Sequence, residues 1–108
     1  MEFEATTLLL YLVNPESPSY NEDELAAIQS GHLDHLRKLG ERGLVLSAGP
    51  FDNQSDPSFR GLVFFSVSPE EALTLTEGDP AVTAGRLVAQ AMTWYRQKGE
   101  VTFKDVAS

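Results

Sequence analysis

Gly43–Val67, "GLVLSAGPFDNQSDPSFRGLVFFSV", holds two apolar runs separated by a stretch rich in Asp, Ser, Asn and Pro. Valine and phenylalanine at successive positions favour strands, and the polar stretch supplies the turn formers that interrupt them. The two runs therefore read as an antiparallel hairpin with a long loop. What flanks the hairpin decides the fold. Upstream, "TTLLLYLV" (Thr6 to Val13) is another strand, ending at "NPESP". Between them "NEDEL" starts a helix: Asn21 is the N-cap, Glu24 completes a capping box, and the acidic residues suit the positive end of the helix dipole. Arg37, Lys38 and Arg42 fall in its last turns, and Gly40 or Gly43 closes it. Downstream, "SPEEALTLTEG" has Ser68 as N-cap, Pro69 at the first helical position, Glu71 closing a capping box and Gly78 as the stop. "DPAVTAG" reads as a short helical turn and "RLVAQAMTWY" as a fourth strand, while the tail "EVTFKDVAS" is free to add a fifth.

The order is βαββαβ. Right-handed crossovers fold it into an α+β, ferredoxin-like unit, a four-stranded antiparallel sheet with two helices on one face. Residues 1–96 are expected to form this domain and 97–108 a C-terminal tail. A sheet covered on one side should alternate apolar and polar residues, yet "LLLYLV" and "GLVFFSV" are apolar at successive positions. Strands of that kind bury both faces. The chain has too few helices to cover the second face, so a homodimer packed through its sheets is expected.

Composition narrows the partners. The 108 residues include 16 acidic and 8 basic side chains, a net charge of −8. Nucleic acid and anionic membrane would each require a basic patch, and neither is an expected partner. There is no cysteine, hence no disulfide, thiolate catalysis or cysteine-bound metal. The longest apolar run, Leu8 to Val13, is too short to span a bilayer, and no secretory signal is evident, which points to the cytoplasm.

Two residues draw attention as chemistry. Along the first helix Leu25, Ile28, His32, Leu36 and Leu39 form one stripe, with an imidazole where the period asks for a leucine. His32 is either a core histidine bonded to a backbone carbonyl or a ring lining a cavity and able to move protons near neutral pH. Gly31 beside it signals close approach by another element. His35 lies at the edge of the stripe and is expected to be partly solvated. Asp79, in "EGDPAV", precedes a proline and is a natural N-cap; a carboxylate so held would also serve to orient a histidine. His32 and His35 are spaced to share a metal, but no third ligand stands at a recognisable spacing, and no metal or cofactor is expected. No glycine-rich phosphate cradle or nucleophile elbow is present. Trp94 and Tyr95 are core or interface aromatics, or a stacking surface for a ligand. Arg60 and Arg86 are candidates for an anion, indistinguishable by sequence from solvated charges.

Taken in order, "GHLDHLRKLGERGLVLSAGP", "GLVFFSVSPEEALTLTEGDPAVTAG" and a strand reaching Trp94 resemble the YCII-like family of small bacterial proteins. The resemblance spans nearly the whole chain. It rests on the helix histidine, the "AGP" of Ala48 to Pro50 and the "DP" of Asp79 and Pro80. It implies a dimeric α+β barrel and a site made of His32 and Asp79 in a pocket. It further implies a cofactor-independent proton transfer on a small ring compound, dehydrochlorination in one branch and lactone isomerisation in related proteins. The lead-in "NPESPSYNEDE" and the "DPAVTAG" segment depart from the family pattern, so no substrate carries over. The alternative function is a non-catalytic dimeric module that binds a small molecule.

Overall fold

The computed structural model describes residues 1–103. Seven elements follow one another: β1 (Phe3–Val13), α1 (Glu22–Glu41), β2 (Val45–Pro50), β3 (Phe59–Phe65), α2 (Pro69–Thr76), α3 (Pro80–Thr83) and β4 (Leu87–Gln97). The sheet order is β2-β3-β1-β4 and every pairing is antiparallel, as a ferredoxin-like βαββαβ chain requires. Three helices are present rather than two, because the Asp-Pro turn closes a four-residue helix of its own. None of them is long and apolar enough to cross a membrane.

Local signals account for most boundaries. Asn21 caps α1 with a complete capping box, and Gly43, at φ 76°, turns the chain just beyond the cap residue Arg42. Ser68 accepts from the Glu71 amide at the start of α2, but only that half of the expected box forms. Nor is Gly78 a left-handed stop. The last turn of α2 tightens instead, with the Gly78 and Asp79 amides donating to Leu75 and Thr76, before Pro80 ends it. Strands β1 and β4 run longer than the sequence suggests, since each pairs with the other along its full length from Phe3↔Gln97 to Val13↔Leu87. The tail adds no strand over 101–103, and its remainder lies outside the described residues.

The sheet's covered face supplies Leu9, Tyr11, Val63 and Phe65 to the core, against Leu39 of α1 and Ala72 of α2. Leu9 and Phe65 are essentially sealed, and each such burial is worth about 1.5–3 kcal/mol. The other face has no helix. There Leu8, Leu10, Leu62, Phe64 and Trp94 are only half-buried, and Val88 and Met92 are exposed. Phe64 packs against Trp94 and Phe103, and the Arg96 guanidinium lies over both of the latter rings.

Candidate functional site

Gly31 explains how α1 and α3 come together. A Cβ at this position would stand 2.8 Å from Cγ of Pro80, so only glycine lets the proline ring press against the helix. That contact carries the neighbour of each residue into register. Asp79, extended at φ −72° and ψ 124° as a residue before proline must be, caps α3 through Oδ1, which accepts from the Ala81 amide at 2.9 Å. Its other oxygen, Oδ2, lies 2.7 Å from His32 Nδ1 and accepts from the Tyr11 hydroxyl at 2.7 Å. His32 and Asp79, 47 residues apart, thus meet across the α1–α3 contact.

Asp79 is fully buried. Burial drives its carboxyl up, but the donors from His32, Tyr11 and the Ala81 amide outweigh this and hold it below the ordinary carboxylate value. An ionised carboxylate only accepts, so Nδ1 carries the proton of this bond and Nε2 is turned away from it. The Tyr11 hydroxyl is pushed far up, first by burial and then by its bond to Asp79, and therefore stays a donor. Its ring also meets His32 edge-on, with centroids 5.2 Å apart. Tyr11 escaped the sequence reading. The available signal was a single phenol within the aliphatic "LLLYLV", since a buried hydroxyl needs a partner.

His32 keeps 13% of its side chain exposed and stands on the wall of a cleft of about 840 Å³ between α1 and the β2–β3 half of the sheet. Leu25, Ile28 and Leu36 form the helix side, and Ala48 to Pro50 with Gly61 to Val63 form the sheet side. The space there comes from missing side chains. Gly61 has Gly49 O 2.8 Å from where its Cβ would be, so the hairpin backbones close up there and no side chain extends from position 61. The "AGP" stretch thus shapes a wall. Arg37, Arg60 and Arg86 also line the cleft, whereas Trp94 and Tyr95 do not.

His35 is partly solvated, as its place at the edge of the stripe leads one to expect, but one ring nitrogen is not. It is half-buried, with its Cε1 3.6 Å from a Cβ built on Gly78, and its Nε2 is shielded and unpartnered among the described residues. Helical periodicity gave no sign of that shielding because periodicity knows nothing of the α2–α3 connection. No group of three or more metal-ligating side chains gathers among the described residues.

Fold and cleft together define a ferredoxin-like α+β protein with a carboxylate-anchored histidine at the edge of an apolar cavity. Comparison with protein-family models gives no match, and none is found among curated proteins. Among solved structures the chain is similar to 5-chloro-2-hydroxyhydroquinone dehydrochlorinase from Burkholderia phenoliruptrix in complex with 2,5-dihydroxybenzoquinone. The identity is 18%, the match covers 84% of this chain and 91% of that one, and the TM-score is 0.47.

Proposed function

We propose that this protein is a small cofactor-independent lyase or isomerase of the YCII-like type, in which His32 moves a proton on a small ring compound and Asp79 orients it. The observation that carries this reading is the 2.7 Å contact between a buried, ionised carboxylate and the Nδ1 of a histidine that still reaches a cleft. A proton on Nδ1 leaves Nε2 as the base. It takes a proton from an acidic C–H of the bound compound, and the imidazolium so formed is stabilised by Asp79. The electron pair of the broken C–H bond then expels a leaving group, or shifts a double bond while the same proton returns to another carbon. Tyr11 fixes the carboxylate from the other side. A base positioned in this way is worth about 10² to 10⁴ in rate.

The active form is proposed to be a homodimer joined through the open sheet faces. What supports it is the half-buried row of Leu8, Leu10, Leu62, Phe64 and Trp94, which water would otherwise cover. The test of function is a metabolite-library turnover screen run beside His32→Ala. Product from the wild type and a loss of about 10² or more in the variant support catalysis. Ligand retention without turnover by either protein assigns a binding module instead, and equal turnover by both removes His32 from the chemistry.

A further inference from the structure

The chain carries twice as many acidic as basic residues, yet the cleft has the opposite balance. Three of the chain's five arginines, Arg37, Arg60 and Arg86, line the cavity, and no carboxylate among the described residues does. Asp79 lies behind His32, fully buried and occupied by its three donors. The arginines are not equivalent. Arg37 is neutralised on the helix surface by Asp34 and Glu41, at 2.6 and 2.5 Å. Arg60 and Arg86 have no carboxylate within ion-pairing distance among the described residues.

Their positions are held by the backbone. Arg60 O accepts from the Phe51 amide, Arg86 O from the Asn14 amide, and the Arg86 amide donates to Ala81, each at 2.9 to 3.0 Å. Register puts them at one end of the sheet on either side of β1: Gly61 pairs with Tyr11, and Leu87 with Val13. That is the end where the Tyr11 hydroxyl meets Asp79. Two guanidiniums without an ion-pair partner among the described residues thus flank the strand that leads to the histidine, beside an apolar stretch of wall formed by Leu25, Ile28, Leu36 and Val63. A net charge of −8 repels anions from the molecule as a whole. A cleft that gathers arginines and excludes carboxylates reverses this locally, and a charge held by two guanidiniums at an apolar wall is bound more strongly than in water.

We infer that the cleft takes a small organic anion with an apolar body, its negative group held by Arg60 and Arg86 and its carbon skeleton lying against Leu25, Ile28, Leu36 and Val63 toward His32. This rests on the cleft being the small-molecule site and adds the charge of what it binds. The two are separable with benzoate and its neutral isostere benzamide as probes, titrated at constant ionic strength while the amide resonances of Gly49 and Gly61 and the ring resonances of His32 are followed by NMR. The expected result is saturable shifts with benzoate, weaker ones with benzamide, and at least a tenfold loss of benzoate affinity in Arg60→Gln/Arg86→Gln without change for benzamide. Each single variant should fall between. Circular dichroism of the double variant checks that it is folded. Equal binding of the two probes, or undiminished benzoate binding by the folded double variant, overturns the anion assignment while leaving a small-molecule cleft. Shifts with neither probe overturn both.

Discussion

The two faces of the sheet invert the usual distribution of polarity. The face under the helices holds a carboxylate, a phenol and an imidazole bonded to one another. The face without helices is apolar through its centre, with Leu8, Leu10, Phe64 and Trp94 in neighbouring rows. A protein built only to be a stable monomer would do the reverse, since buried polar groups give little net stability even when satisfied and exposed apolar rows waste theirs. On the function proposed above, each face answers to something besides folding: the covered one to a site, the open one to a second copy of the chain.

The largest effect is expected where the open face is made polar. In the proposed homodimer Phe64→Glu would bury a charge twice across the two-fold interface and raise the dimer dissociation constant by about a thousandfold, about 4 kcal/mol, while leaving the helix side intact. Sedimentation equilibrium reads this directly. A wild type that already sediments at the 11.8 kDa of one chain at micromolar concentration would break the comparison on this side.

On the covered face, Asp79→Ala strands the Tyr11 hydroxyl, the His32 Nδ1–H and the cap of α3 together, for a loss of about 3 kcal/mol by denaturant unfolding. Asp79→Asn keeps the shape and removes the charge. The native carboxyl sits below its ordinary value of 3.8, so it contributes stability above that pH and loses it as pH falls through the depressed value. Wild-type stability should therefore fall from about pH 4 downward, and the asparagine variant should be flatter over the same range. An identical acid profile in both would show that the network contributes nothing to folding.

The smallest effect sharpens the comparison at its hinge. Gly31→Ala gains about 1 kcal/mol of helix propensity, but its Cβ meets the rigid ring of Pro80 at 2.8 and 3.1 Å. Overpacking costs about 1–3 kcal/mol, so the net expectation is a loss of about 1 kcal/mol and a weakened His32–Asp79 bond, seen as a changed imidazole titration by NMR. A variant that becomes more stable would mean that α3 can retreat without consequence.

Much of this was legible in the sequence because it is written locally. Asn21 with Glu24, Ser68 with Pro69 and Asp79 with Pro80 each fix a helix start through neighbours a few residues away, and the βαββαβ order leaves few topologies. The oddity of His32 and of Gly31 was visible too, since each breaks a helical rule. What escaped depends on contacts between distant segments. The shielding of His35 Nε2 needs the α2–α3 connection, and the role of Tyr11 needs a strand 68 residues from its partner. That Arg60 and Arg86 have no ion-pair partner among the described residues is likewise a fact about space, not about spacing.

Asp79 holds two posts, end-cap of α3 and anchor of the imidazole. Selection acting on the first will preserve it even in a lineage that has abandoned the second. Among descendants of this chain, an aspartate before this proline would persist as a relic of architecture, while His32, only partly buried and free to become leucine, would be the position that drifts when the chemistry is no longer needed. The histidine, not the more deeply embedded carboxylate, is the marker by which working and lapsed copies should be told apart.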